Sequence, residues 1–202
     1  MPGQVRFTET MSGWLGTATD PASFTLTVVT PDVDALVLDP NHRSPAFGLV
    51  ECPALEPGPI AVHEGALDLF VDAGPGVLEM RYRLLLRGAH DRRYVLVGIK
   101  DVRRRRWFPT VLTDTTTLFV DVWDGAEPVG TPRVRGVFTM GTGGVTAQGL
   151  SFRGGVGAIV RYLSYYVRRC VTIYLGPLTP AATRTSGAPP HGRLPAQTRR
   201  NR

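Results

Sequence analysis

From Val5 to Met140 the chain places apolar and polar side chains in short alternating runs, the pattern of half-buried β-strands. In the first run Val5, Phe7, Glu9 and Met11 share one face, against Arg6, Thr8, Thr10 and Ser12 on the other. After a turn around Asp20 and Pro21, Phe24, Leu26 and Val28 alternate with Ser23, Thr25 and Thr27. Thr30 as N-cap, Pro31 at the first helical position and two aspartates near the positive end predict a short helix, stopped by Pro40. Ala46–Cys52 has a proline on either side and predicts a short edge strand. Ile60–Val71 is long for one strand and changes parity near Gly65, where a bulge would bend it.

The most regular stretch runs from Gly76 to Trp123 and reads as a three-stranded antiparallel meander. Leu78, Met80, Tyr82, Leu84 and Leu86 alternate with Glu79, Arg81, Arg83 and Arg87. Tyr94–Val102 follows, then a hairpin tip, RRRRWFPT, and a returning strand over Leu112–Trp123. Centring the hairpin near Trp107 sets Lys100 opposite Asp114, Gly98 opposite Thr116 and Leu96 opposite Leu118. The preceding turn sets Met80 by Gly98 and Tyr82 by Leu96. Val134–Met140, with Gly136 facing inward, predicts the last strand.

Beyond Gly144 the period changes. Val156, Ile159, Val160, Leu163, Val167 and Cys170 recur at helical spacing, preceded by a shorter helical turn around Ala147–Phe152. From Gly176 the chain is Pro, Thr, Gly, Ala and Arg, a composition that predicts disorder. The expected fold is therefore mainly β, in a single domain over residues 1–175, with a basic tail over 176–202. About eight strands would form an antiparallel up-and-down barrel or strongly rolled sheet, with a short helix after strand 2 and a C-terminal amphipathic helix. Closure would remove the exposed edges. A two-sheet sandwich is the alternative.

Charge changes this picture little. The formal net charge is +6, but five arginines follow Leu175 with no acidic residue among them. Without those five, 18 of the 23 basic residues remain against 17 acidic ones, so the folded part is nearly neutral and nucleic acid is disfavoured as a partner. Cys52 and Cys170 are isolated thiols that make no disulfide scaffold, although a bridge between them stays open. The N-terminus shows no apolar signal region and no run reaches the length of a spanning helix, so a soluble cytoplasmic protein is the default.

The informative chemistry is a set of charges on inward positions. Glu9, Lys100 and Asp114 all fall on faces otherwise occupied by Phe7, Met11, Tyr82 and Tyr94. Buried charges are costly unless paired, so these three should contact one another or a ligand. They could form a structural ion pair, or orient the polar end of a hydrophobic ligand in a pocket lined by those apolar neighbours. A carboxylate among them could also serve as general base of a small barrel enzyme, with Lys100 as electrostatic stabiliser. Arg103, Arg104, Arg105 and Arg106, beside Trp107, form a basic tip that is either solvated or meets an anionic membrane surface. His63 and Glu64 lack metal-site spacing, the glycine-rich segments match no nucleotide fingerprint, and no serine sits in a nucleophile elbow. No metal and no cofactor are expected.

Several blocks together resemble a known region. FTETMSGWL (Phe7–Leu15), MRYRLLL (Met80–Leu86), YVLVGIKDV (Tyr94–Val102) and TDTTTLFVDVW (Thr113–Trp123) resemble, in order, a β-rich accessory region. That region accompanies cholesterol-oxidase-like flavoproteins of the glucose–methanol–choline (GMC) oxidoreductase family in actinobacteria. GVFTM, AQGLSFR and VRYLSYY are similar to its end, so the resemblance spans about residues 5–175. It implies a non-catalytic lipid- or steroid-binding or accessory module working with a flavin-dependent oxidoreductase. It carries over no flavin chemistry, because the Rossmann glycine fingerprint is missing here. A protein-interaction or peripheral membrane docking domain is the further alternative, with the helix Val156–Cys170 as the docking element.

Overall fold

In the computed structural model, which describes residues 3–17, 19–103 and 110–175, the alternating runs close into an eight-stranded antiparallel barrel. Its strands are β1 (Val5–Leu15), β2 (Pro21–Thr30), β3 (Arg43–Glu51), β4 (Pro59–Gly74), β5 (Val77–Arg87), β6 (Arg93–Arg103), β7 (Thr117–Asp124) and β8 (Val134–Thr139). Each strand pairs with the next, and β1 pairs with both β2 and β8, which closes the cylinder in up-and-down order. Helix α1 (Val33–Leu38) follows β2, α2 (Thr110–Thr116) precedes β7, and α3 (Thr142–Ser151) follows β8. A two-residue strand, β9 (Arg153–Gly154), pairs with the start of β1 and leads into the long helix α4 (Val156–Leu175). The tip residues 104–109 and the tail from Gly176 lie outside the described residues.

The period-two pattern does what it predicts on β1, where Val5, Phe7, Glu9 and Met11 point inward and the intervening residues do not. On β2, Phe24, Leu26 and Val28 do the same, and on β5 Leu78, Met80, Tyr82, Leu84 and Leu86. Small-barrel interiors are filled by side chains, and here Leu15, Leu26, Leu84, Leu86, Leu96 and Phe138 make a solid core over much of the length. The register of β4 shifts between Val62 and Glu64, beside Gly65, as the parity change there requires. A second irregularity between Asp68 and Val71 leaves Phe70 at φ 54° yet fully buried, reaching toward α4.

Five expectations are corrected. The short helix is capped by Asp32, whose side chain accepts from the Asp34 N–H; Thr30 instead ends β2 and Pro31 stays outside the helix. Strand β3 is not an edge, because closure gives it partners on both sides. The meander keeps its parity but slides in register: Met80 faces Lys100, Tyr82 faces Gly98, and Gly98 faces Val120 rather than Thr116. Asp114 is not opposite Lys100 at all, since the returning segment begins as helix α2 and turns extended only at Thr117. Finally, α4 packs through a face that is only partly the expected one. Of the expected stripe Val156, Val160, Leu163 and Val167 are exposed, Ile159 packs partly buried against the core and Cys170 is buried, together with Ala158, Tyr162, Ile173 and Tyr174.

The tyrosines go inside because each offers a large ring to bury, and the hydroxyl of Tyr174 also finds a partner there. Tyr174 donates to Asp114 (2.8 Å), and the Tyr166 ring stands edge-on to Phe70 with centroids 4.8 Å apart. Outside the barrel, Arg161 bridges to Asp34 of α1 and the Arg169 guanidinium donates to the Phe70 carbonyl (2.6 Å). Cys52 and Cys170 are both buried and free.

At Gly136 the barrel wall allows no side chain, because a Cβ would stand 2.1 Å from the Trp14 carbonyl oxygen of the neighbouring strand. Gly136→Ala must push β8 away from β1 at the closing seam and should cost about 2–3 kcal/mol, within the usual range for overpacking. In a chain of this size the melting temperature should fall by roughly 5–10 °C. Gly141→Ala, where a Cβ meets nothing within 4 Å, is the control and should melt close to the unsubstituted protein.

Candidate functional site: a capped cavity with a buried ion pair

Helices α3 and α4 lie over the barrel end that carries Phe7, Glu9, Met80, Tyr82 and Lys100, and beneath them is a cavity of about 320 Å3. The cap is held by β1. The Thr8 N–H donates to the Ser151 hydroxyl (2.8 Å), and Val5 and Arg6 pair with Gly154 and Arg153. Phe7 stacks on Phe152 at 4.9 Å with Tyr162 tilted against both rings. These contacts bring the α3 side chains Val145, Gln148 and Phe152, and the α4 side chains Tyr162, Leu163 and Tyr166, to the cavity wall. Leu67 and Leu69 of β4 and Met140 complete the apolar lining.

At the polar end Glu9 and Lys100 are each 2 % exposed, and the Lys100 ammonium donates to Glu9 Oε1 at 2.8 Å. The Tyr82 hydroxyl also donates to the carboxylate, at 3.0 Å from Oε1 and 3.2 Å from Oε2. Gln148 Nε2 reaches Oε2 from α3 at 3.2 Å. The Lys100 nitrogen sits 5.1 Å from the centre of the Tyr82 ring, close enough for a cation–π attraction. Desolvation, then the charge of Glu9 and the hydrogen bond to it, push the Tyr82 phenol well above its ordinary value, so Tyr82 stays a donor. Burial likewise raises Tyr162 and Tyr166 on the cap.

The carboxylate of Glu9 therefore accepts from three donors, with the one Tyr82 proton shared between its two oxygens, so three protons meet about four lone-pair sites. A general base needs a free lone pair within reach of a substrate proton, and here most of that capacity is already taken. The lysine is differently placed. Of the three ammonium protons, one goes to Glu9, and among the described residues no other acceptor takes the remaining pair.

The seven inward residues singled out from the sequence divide between two places. Phe7, Glu9, Tyr82 and Lys100 meet at the cavity. Met11 is buried in the solid part of the barrel, and Tyr94 lies six residues from Lys100 on β6, roughly 20 Å along the strand. There the Tyr94 hydroxyl donates to Glu56 (2.8 Å), which also pairs with Arg92 (3.1 Å). Asp114, 8 % exposed, is held by Tyr174 instead of Lys100. Gln148 was not anticipated, and its segment AQGLSFR offers no sign beyond a short helical turn; only the docking of α3 on β1 directs it to Glu9. Arg103 pairs with Asp101, while Arg104, Arg105, Arg106 and Trp107 lie outside the described residues. Among the described residues no group of three His, Cys, Asp or Glu side chains could hold a metal ion. No described helix is long and apolar enough to cross a membrane.

The fold and site define a class: an up-and-down β-barrel with a helix-capped, mostly apolar internal cavity and an ion pair at its polar end. Compared with family models, curated proteins and solved structures, the chain matches none.

Removing one partner from a buried pair leaves an uncompensated charge. Lys100→Met should destabilise the barrel by about 3–5 kcal/mol. The double change Glu9→Gln with Lys100→Met should recover most of that loss, because an amide at position 9 still accepts from Tyr82. Urea unfolding of the two single variants and the double variant measures the coupling. Additive losses would mean that the two groups do not act as a pair.

Proposed function

We propose that the chain is a non-catalytic module that binds a hydrophobic, lipid- or steroid-like small molecule in the barrel cavity. The observation that carries this reading is the cavity itself, about 320 Å3 of largely apolar, partly open space lined by barrel strands and helices, with Glu9 and Lys100 on its wall. Ligand sites are commonly built this way, with hydrophobic walls for affinity and a few placed polar groups for orientation. A core that needed only stability would gain by filling the space, since empty apolar volume costs packing energy. The three donors already on Glu9 favour binding over base catalysis. The resemblance to the accessory region of cholesterol-oxidase-like GMC flavoproteins supplies a setting in which such a ligand, and a flavin-dependent partner, would be at hand.

Native mass spectrometry of freshly purified protein should show a bound lipid-sized adduct. Val145→Trp puts a large ring into the cavity from the cap and should abolish the adduct while the protein still folds. Absence of any adduct, together with binding of an apolar fluorescent dye that Val145→Trp leaves unchanged, would refute the cavity reading.

A second reading, docking of the module onto a protein partner, is favoured by the outer face of α4. Val156, Val160 and Val167 are spaced along one side of the helix and are 80 %, 56 % and 57 % exposed. Gel filtration with a co-expressed sterol-oxidising flavoprotein should show co-elution, lost on the double change Val160→Glu and Val167→Glu. Separate elution of the unsubstituted pair at micromolar concentration counts against docking.

A further inference from the structure

We infer that the cavity selects an uncharged amphiphile whose polar end is a hydroxyl, keto or ester oxygen, and disfavours free carboxylic acids. This rests on the ligand-binding reading above and specifies the chemistry of its polar end. Two features of the site fix the choice.

The first is the direction of the hydrogen bonds still to be made. Glu9 already accepts from Tyr82, Lys100 and Gln148, so a ligand that brings a donor can add at most one further bond to it. Lys100 lines the cavity, and among the described residues only Glu9 accepts from its three ammonium protons. A ligand gains more by bringing an acceptor, since an oxygen near the Lys100 nitrogen would take ammonium protons beyond the one given to Glu9.

The second is charge. Among the described side chains around the cavity, Glu9 and Lys100 are the charged ones, and they cancel. A bound carboxylate would be a second anion sharing a single lysine, near Glu9 and away from water. Its desolvation would not be repaid by a cation already committed. A neutral acceptor keeps the buried set at zero net charge and pays only the small cost of losing water from one oxygen. The apolar wall from Leu67, Leu69, Met80 and Met140 then takes the hydrocarbon.

The test is calorimetric titration of the full chain with four ligands of one chain length: decanol, a decanone, methyl decanoate and decanoate. The three neutral ligands should bind at least about tenfold more tightly than decanoate. Glu9→Gln removes the compensating anion, leaves Lys100 free to pair with an acid, and should reverse the order in favour of decanoate. Equal or tighter binding of decanoate by the unsubstituted protein overturns the inference, with no need of a variant that folds. So does a folded Glu9→Gln protein that keeps the neutral preference. If none of the four ligands binds, the cavity reading itself fails, and the inference with it.

Discussion

Closure of the barrel by β1 is the constraint on which everything else in this molecule depends. That strand pairs with β2 along nearly its whole length, with β8 over its last residues and with β9 at its start. A barrel has no free edge only if its first and last strands meet, and at the β1–β8 seam they meet so closely that Gly136 has no room for a methyl group. The same strand carries Phe7 and Glu9 inward and offers the Thr8 backbone to Ser151. Barrel closure, the attachment of the helical cap and the placement of the buried carboxylate are thus properties of a single segment.

The ion pair follows from that geometry and is maintained by redundancy. A carboxylate as dry as Glu9 survives because donors reach it from three elements: Tyr82 on β5, Lys100 on β6 and Gln148 on α3. Two of these are fixed by strand register and the third depends on the cap being seated. The polar end of the cavity therefore senses the position of α3.

How much of this was readable beforehand differs sharply between elements. The inward faces of β1, β2 and β5 were legible because a strand has only two faces and each run commits its apolar side chains to one of them. Glu9 and Lys100 came out on the correct side for the same reason. Register was less legible. Parity survives a slip of two or four residues, so the alternation cannot distinguish Gly98 facing Thr116 from Gly98 facing Val120. Residues 110–116 decided the matter by forming α2, which removed Asp114 from the strand and gave it to Tyr174. The buried face of α4 is legible only in part: Ile159 and Cys170 of the periodic stripe turn to the core, but helical spacing does not rank aliphatic side chains against tyrosines. The rings of Tyr162 and Tyr174 go inside, and the valine line stays out.

The amino-acid sequence by itself determined the class of fold, the number and order of the strands, and which charges must enter the core. These are local matters of period, turn chemistry and side-chain type. Only the tertiary structure decided which of those charges meet, that Gln148 joins them, and that the space beside them stays open. Such contacts join residues far apart in the chain: Glu9 to Lys100 across 91 positions and Glu9 to Gln148 across 139. No pattern along the chain encodes a distance of that kind. It is set when β1 closes the barrel and the helices settle over its end.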